Sequence, residues 1–264
     1  MNYNDVLNKK VKKALGDSFK DYQSISYPTN NCGLVTCYLP QGGESKPKDK
    51  DFLCDTWECL GLSEAIPTDQ AKQLSINDFA AVGGAGADIS LEETDKSDIG
   101  FKALLPKIAS ILNIGGGFDK SKTVISDLQL GRFFPRLLRR ERFVTFVNGL
   151  PPGSMMKTGF AQGRLIVVVG DVVSTGMKIQ IKADTNTGTN IDAKLGPGTG
   201  TGVSKVFSDS TFGFKLSKQT TGEYNFEVTS PVVALRLAKR QPGAGVLGQH
   251  DDWTDWPTIQ LPKV

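Results

Sequence analysis

The sequence contains a single histidine among 264 residues, and this scarcity excludes several classes of enzyme. Nucleophilic triads of the Ser-His-Asp or Cys-His type need an imidazole beside the nucleophile, and most catalytic zinc sites use two or three histidines. The only candidate, His250, lies within the segment 241–264. No catalytic residue, metal site or cofactor is therefore predicted. An enzyme of unknown chemistry that uses paired carboxylates is kept as one alternative.

Long hydrophobic runs and an excess of charge of one sign are also missing. The longest apolar run, residues 165–169, is far shorter than the ~20 residues of a membrane-spanning helix. The lysines around residue 10 are not followed by the apolar stretch of a secretory signal. Because 31 Lys and Arg oppose 28 Asp and Glu, the formal charge is only +3. We expect a cytoplasmic protein without a nucleic-acid partner.

The glycine-rich segments lack the spacing of nucleotide-binding loops. In residues 115–121, Asp119 occupies the position where a phosphate-binding loop needs glycine before its lysine. Residues 196–202 carry no third glycine at the dinucleotide-binding spacing. Both segments are predicted to be turns.

What the sequence does contain begins with a short basic amphipathic helix. Leu7, Val11 and Leu15 recur at helical spacing after the plausible N-cap Asn4. The intervening positions carry four lysines: Lys9, Lys10, Lys12 and Lys13. One interpretation is a surface helix with solvated lysines, and the other is a helix that contacts anionic lipid.

Further elements follow from residue patterns along the chain. Strands are predicted at 25–27 and 33–39, and a helix at about 98–112. Residues 133–146 mix Phe and Leu with five arginines and form a second basic amphipathic element. The weakly patterned, glycine-bearing segment 78–93 is not expected to make a rigid strand.

The second half of the chain has the two-residue period of half-buried strands. Apolar and polar residues alternate over 177–184, 211–217, 224–228 and 233–237. An Asn, Thr and Gly-rich connection is predicted at 185–202. The predicted class is α+β, with a twisted, largely antiparallel central sheet and peripheral helices.

The composition changes at about residue 241. A Pro-Gly-Ala-Gly linker precedes an acidic stretch that contains Trp253 and Trp256, two of the three tryptophans. Disordered tails normally lack large aromatic side chains, so we expect this segment to dock onto the body. The predicted division is a main domain at 1–240 and a short tail at 241–264.

Four cysteines are crowded into 28 residues as two C-x4-C pairs: Cys32, Cys37, Cys54 and Cys59. Zinc knuckles favour tighter C-x2-C spacing, so metal binding is the weaker interpretation. Residues five apart in a strand point to opposite faces, so neither pair is expected to close on itself if its segment is extended. Free thiols are expected in a reducing compartment, while pairing between the segments or between chains stays open.

Taken in order, these elements resemble the pore-forming domain of a gasdermin of the bacterial or another early-branching type. The resemblance lies in the basic first helix, the strand at 32–38, the segment 87–90 that leads into the helix at 100–105, and the closing strand at 229–238. It covers residues 1–240. The family implies a cell-death (pyroptosis) effector of immune defence that binds acidic lipid membranes, forms a homo-oligomer with many subunits, and inserts amphipathic hairpins as a large β-barrel pore. It also implies a cytoplasmic inactive form and an active form in the cell membrane.

Carried onto this sequence, the resemblance implies roles for particular residues. The four lysines match the lipid-contacting first helix, and three arginines are candidates for the same face: Arg136, Arg139 and Arg140. One membrane hairpin is expected from 164–184 and 203–218, with Asp171 and a bend at Gly170 as its weak points, and the region 78–127 is a candidate for the other. The apolar side chains of the first hairpin, 164–184 with 203–218, are Leu165, Val167, Val169, Met177, Ile179, Ile181, Val206, Phe212, Phe214 and Leu216.

Inhibition is expected to follow one of two routes. The tail, with Trp253 and Trp256, resembles a short inhibitory peptide that an activating protease removes. Alternatively, the four cysteines hold an inactive disulfide-linked dimer that reduction releases. The N-terminal lipid-modified cysteine common in bacterial members has no counterpart, because the first cysteine is Cys32.

A membrane-peripheral lipid or protein adaptor that forms no pore is the alternative function.

Overall fold

The computed structural model describes residues 9, 11–13, 16–19, 21–29, 32–41, 51–60, 74–83, 86, 105, 108–109, 122–195, 206–209, 213–240 and 253–256. The strands are β1 (Gln23–Thr29), β2 (Cys37–Tyr38), β3 (Phe52–Cys54), β4 (Ala80–Val82), β5 (Val124–Leu130), β6 (Phe133–Leu138), β7 (Ile166–Ser174), β8 (Gly176–Lys182), β9 (Val206–Asp209), β10 (Phe214–Thr220), β11 (Glu223–Thr229), β12 (Val232–Arg240) and β13 (Trp253–Trp256). The helices are α1 (Thr56–Cys59), α2 (Ile76–Phe79), α3 (Arg140–Gly149), α4 (Met155–Ala161) and α5 (Thr185–Leu195), with a 3-10 turn at Gly16–Phe19.

The strands form two antiparallel sheets, which confirms the predicted α+β class. The first sheet has the order β1-β12-β7-β2-β3, with β6 added to β7, β4 to β6 and β13 to β12. The second sheet has the order β5-β8-β11-β10-β9. Their apolar side chains fill three buried clusters. One lies against the second sheet and also includes Phe133, Val172 and Val233 of the first, and the other two contain alternate residues of β7, such as Val167 and Val168.

Three long segments run through both sheets. Each consists of two consecutive strands with a short bend between them: β5 and β6, β7 and β8, and β11 and β12. Hydrogen bonds continue across the bend, since the Gly131 amide donates to the Gly176 carbonyl at 2.8 Å and the Thr175 amide to the Arg132 carbonyl at 2.9 Å. The sheets are therefore two halves of one bent ladder at this point.

The bend requires a glycine at residue 131. A Cβ atom there would lie 2.1 Å from the Thr175 hydroxyl oxygen and 3.0 Å from the Gly176 amide nitrogen. At Gly176 the same addition would meet only ordinary contacts, the nearest at 3.8 Å. The close approach of the two chains depends on the missing side chain of Gly131.

Three local predictions were wrong, for different reasons. Residues 33–39 are a strand only at β2, because Leu34 and Val35 form a turn in which Val35 has φ of 74°. Residues 133–146 are not one element: Pro135 lies in β6, and a helix begins only at Arg140. The connection at 185–202 contains α5, whose Thr, Asn and Gly residues have low intrinsic helix propensity.

The predicted helices at the start of the chain and at 98–112 fall largely outside the described residues. Residues 9, 11–13, 105 and 108–109 are helical where the structure describes them. No helix in the described ranges has both the length and the apolar character needed to cross a membrane.

Candidate functional site

The second sheet is amphipathic, with one apolar and one polar face. Its apolar face carries nine buried side chains: Leu128, Met177, Ile179, Ile181, Phe214, Leu216, Tyr224, Phe226 and Val228. The register places them side by side, since Ile179 pairs with Phe226 and Leu128, and Phe226 with Leu216. The alternate positions carry polar side chains that reach the surface: Lys178, Gln180, Lys182, Lys215 and Glu227.

Helical segments cover the apolar face. Ile191 and Leu195 of α5 pack against it, and so do Val11, Leu105 and Ile108, which are also in helical segments. The cover is made by tertiary contacts rather than by the propensity of α5, whose sequence begins Thr-Asn-Thr-Gly-Thr-Asn.

Polar contacts fix α5 to the sheet. The Asp184 carboxylate accepts a hydrogen bond from the Thr187 amide at 3.1 Å and so begins the helix. The Tyr224 hydroxyl donates to the Gly188 carbonyl at 2.9 Å, and Lys218 forms an ion pair with Asp192 at 2.5 Å. Burial, followed by the neighbouring Asp192 carboxylate, raises the pKa of Tyr224. The phenol therefore keeps its proton, and keeps donating, to a higher pH than a free tyrosine would.

The helical segment that carries Lys9, Lys12 and Lys13, here called the lysine helix, packs against the buried cluster of the second sheet. Val11 is fully buried in the cluster beneath the second sheet, whereas Lys9, Lys12 and Lys13 are exposed. Lys10 lies outside the described residues. The helix thus joins a cationic outer face to the apolar face of the strands.

The three candidate arginines have different local environments. Arg136, in β6, forms a two-pronged ion pair with Asp171 of β7, with distances of 2.8 and 2.6 Å. Arg139 is exposed immediately before α3, and the Arg140 guanidinium lies over the Trp253 ring, 5.4 Å from its centroid. Of the three, the structure places only Arg139 fully at the surface.

Asp171 is fully buried and accepts hydrogen bonds from two groups. Besides the guanidinium of Arg136, the Leu34 amide donates to its Oδ2 atom at 3.0 Å. Gly33 lies close enough that a Cβ would meet the carboxylate at 3.0 Å. The carboxylate also adds to burial in raising the pKa of Cys32 to about 12. The charge expected to disturb a membrane strand is thus neutralised inside the first sheet.

The residues expected to form one hairpin are divided between two environments. Leu165, Val167 and Val169 pack beneath the first sheet, where every residue of β7 is buried, while Met177, Ile179 and Ile181 lie on the apolar face of the second. The turn between these groups falls at Thr175, whereas Gly170 lies within β7 against the Tyr22 ring.

The partner segment of that hairpin is partly described. Phe214 and Leu216 belong to the apolar face, and Val206 begins β9. Phe212 lies outside the described residues. In this state β11 separates β8 from β10, so the two expected halves of the hairpin are not adjacent. A hairpin made of 164–184 and 203–218 would need β11 to leave.

The tail docks onto the body through β13. This strand pairs antiparallel with the end of β12, Trp253 opposite Arg240 and Trp256 opposite Leu237. The half-buried Trp253 ring lies 6.3 Å from the Phe143 ring and 6.0 Å from the Phe160 ring. The strand therefore occupies the edge of β12 beyond the part that β1 covers.

The cysteine pair at 54 and 59 closes on itself as a disulfide, contrary to the geometric prediction. That prediction assumed an extended segment, but the chain leaves β3 at Cys54 and enters α1, whose N-cap Asp55 accepts a hydrogen bond from the Glu58 amide. Cys32 and Cys37 are free and buried, and burial raises the pKa of the Cys37 thiol far above its usual range. Neither free thiol is exposed in this state, as a bond between chains would require.

Sequence reasoning missed the covering role of α5 and the partners of Asp171. A signal for α5 existed in Asp184, which precedes a helix-length segment as an N-cap. The Arg136–Asp171 pair depends on the pairing of β6 with β7, which no local pattern reports.

Comparisons with known proteins give a structural neighbour but no family model. A scan against protein-family models finds no match, and a search of the curated proteins finds none either. Among the solved structures, the chain is similar to a bacterial gasdermin from Bradyrhizobium tropiciagri, at 13% sequence identity and a TM-score of 0.35. The match covers 91% of this chain and 89% of that chain. This level of similarity does not by itself assign the chain to the family.

Proposed function

We propose that this chain is a pore-forming cell-death protein of the gasdermin type. It binds membranes that contain acidic lipid, assembles with many copies of itself and inserts amphipathic strands as hairpins of a large β-barrel pore. The observation that carries the proposal is the second sheet, whose apolar face packs against helical segments that carry Val11, Leu105, Ile108, Ile191 and Leu195.

Such a sheet has the side-chain pattern that a membrane strand needs. A spanning strand takes about 9–11 residues with an apolar face toward lipid and a polar face toward water. β8 alternates in this way over its seven residues and β10 over its first three, residues 214–216, and only the bend residue Thr175 separates β8 from β7. Removing the helical cover exposes a ready apolar surface, which lipid then buries.

The lysine helix couples lipid binding to that exposure. Each basic side chain near an anionic membrane contributes about 1 kcal/mol of attraction, so Lys9, Lys12 and Lys13 together supply roughly 3 kcal/mol. Because Val11 of the same helix packs against the strands, drawing the helix to the membrane withdraws part of their cover. The inactive form resides in the cytoplasm, and the active form resides in the cell membrane.

Restraint in the inactive state comes from the tail. β13 extends the first sheet at β12, one of the three long segments that run into the second sheet. Proteolytic removal of residues 241–264 frees that edge and the aromatic contacts of Trp253. The Cys54–Cys59 disulfide offers a second point of control that is sensitive to reductant.

Dye release from liposomes tests the proposal. Full-length protein and a variant that ends at residue 240 are added, with and without reductant, to vesicles of acidic or neutral lipid. We expect leakage only from acidic vesicles, with the shorter variant or after reduction, and rings or arcs in electron micrographs of detergent extracts. Binding without leakage under every trigger would identify a peripheral adaptor instead, and the absence of binding would contradict both functions.

A further inference from the structure

Three buried cysteines converge from three elements beside the edge of the first sheet. Cys54 ends β3, Cys59 ends α1, and Cys37 lies in β2 directly opposite Cys54 in the strand register. Their Sγ atoms all lie within 4.8 Å of one another. The C-x4-C loop folds two sulfurs together, and strand pairing adds the third.

The surroundings of this sulfur cluster are apolar. Leu34, Val35 and Phe79 belong to the same buried core, and the described residues add no carboxylate or imidazole to the three sulfurs. Cys32 is also buried but belongs to a different core cluster. A group of ligands made only of sulfur selects soft cations over magnesium or calcium.

We propose that the reduced form of this cluster is a binding site for a thiophilic metal ion, with Cys37, Cys54 and Cys59 as ligands to Zn²⁺. Sulfurs bound to one zinc ion at 2.3 Å lie about 3.8 Å apart, which is compatible with the spread of these three atoms. The three thiolates leave one tetrahedral position to water or another donor. The disulfide is the oxidised state of the same site.

The chemistry balances in two steps. A dithiol reductant gives two electrons and two protons to the Cys54–Cys59 disulfide and becomes a disulfide itself, which yields two protein thiols. The zinc ion then displaces three thiol protons to solvent and forms three zinc–sulfur bonds. A disulfide of a small thiol reverses the process: it accepts two electrons and two protons from solvent to become two thiols, the Cys54–Cys59 bond forms again, Cys37 takes back a proton, and Zn²⁺ is released.

Metal binding would join elements that the disulfide does not. The disulfide connects β3 to α1 within six residues of the chain, whereas the metal would also tie in β2. On its other side Cys37 pairs with Val167 of β7. The bound ion would therefore hold β3 and α1 to the strand that lies directly beside β7. The readouts of this site do not use leakage, so its failure and the failure of the proposed function are distinguishable.

Titration of the full-length protein with zinc tests the site. The protein is reduced, freed of reductant without air, and titrated with Zn²⁺ against a chromophoric chelator. We expect one zinc ion to bind per chain. Cys37→Ser should lower the zinc affinity by more than about 100-fold, because loss of a ligand costs more than the ~10–100-fold loss seen when a group that only supports a ligand is changed. Cys32→Ser is the matched control, a buried cysteine outside the cluster, and should bind as the unaltered chain does.

X-ray absorption of the zinc-loaded, unaltered protein gives an answer that needs no variant to fold. Three sulfur neighbours at about 2.3 Å are expected. Fewer than three sulfurs, no zinc bound by the reduced chain, or equal affinity in well-folded Cys37→Ser would each overturn the proposal. Undiminished binding by the protein with its disulfide intact would also overturn it, since only one of the three thiols would then be available.

Discussion

Arg136 and Asp171 form a buried ion pair between neighbouring strands, with the guanidinium Nη2 atom 2.6 Å from the carboxylate Oδ2 atom. The pair connects β6 with β7, and the Leu34 amide ties the loop before β2 to the same carboxylate. Several elements of the first sheet thus depend on one fully buried charge.

Removing the arginine should therefore be costly. Arg136→Met leaves the buried Asp171 side chain without its partner, and we expect the free energy of unfolding to fall by about 3 kcal/mol or more in urea titrations. Lys182→Met is the control, because it breaks the exposed pair with Glu223 and should cost at most about 1 kcal/mol. Equal losses in the two variants would contradict the importance of the buried pair.

Tyr22 should make the protein sensitive to alkaline conditions. Burial, and next the Asp171 charge, raise the pKa of Tyr22 to about 12, from its ordinary value of 10.0 in an unfolded chain. The folded state therefore holds this proton more tightly, and its contribution to stability is complete below pH 10 and lost as the pH rises from 10 to about 12. Tyr22→Phe should flatten the decline of the unfolding free energy across that window. An unchanged slope would assign the decline to other groups.

The bend in the long strands should not accept a side chain at Gly131. In Gly131→Ala the new Cβ meets Thr175 and the Gly176 backbone, and we expect a loss of about 1–3 kcal/mol in thermal or urea unfolding. Gly176→Ala, one strand away at the same bend, has room for the methyl group and serves as control. A larger loss at Gly176 would contradict the steric account.

Trp253 should hold the tail in place. Trp253→Ala removes the ring that contacts Phe143 and Phe160 and lies beneath Arg140. We expect faster protease cleavage after residue 240 and several-fold more leakage from acidic vesicles without a trigger. Met155→Ala, which changes an exposed side chain on α4, should do neither. Faster cleavage without leakage would separate tail docking from inhibition.

The four lysines at the start of the chain should decide lipid binding. Changing Lys9, Lys10, Lys12 and Lys13 to Glu reverses the charge of the exposed helix face, so acidic vesicles should no longer bind or leak, while circular dichroism stays unchanged. The control changes Lys178, Lys182 and Lys215 on the polar face of the second sheet to Glu. If both variants lose binding equally, net charge rather than the helix is responsible.

The strands of the second sheet could be predicted because each carries its signal locally. Met177, Ile179 and Ile181 alternate with polar residues, and a two-residue period fixes both strand and buried face. Residues 133–138 carried a mixed signal, since Arg and Leu neighbours fit a basic helix as well as a strand. The segment is a strand because Pro135 disfavours a helix and because Arg136 pairs with Asp171 of β7. Asp171 lies 35 residues away along the chain, so no local pattern reports it.

The cysteine cluster and α5 required knowledge of three-dimensional neighbours. Cys37 meets Cys54 only because β2 and β3 pair in a particular register. Similarly, α5 is a helix because Ile191 and Leu195 have an apolar sheet to cover. Local propensity favours a loop there, and tertiary packing overrides it.

The bent ladder has a consequence for any large rearrangement of this molecule. The segment made of β5 and β6 pairs with the segment made of β7 and β8. Their register does not shift from Asp127 opposite Gln180 to Leu137 opposite Gly170, although the bend at Gly131 lies between these pairs. Straightening that bend would leave every existing partner in place. These two paired segments can therefore change shape together. The hydrogen bonds between them would stay, and only their packing against the rest of the molecule would change.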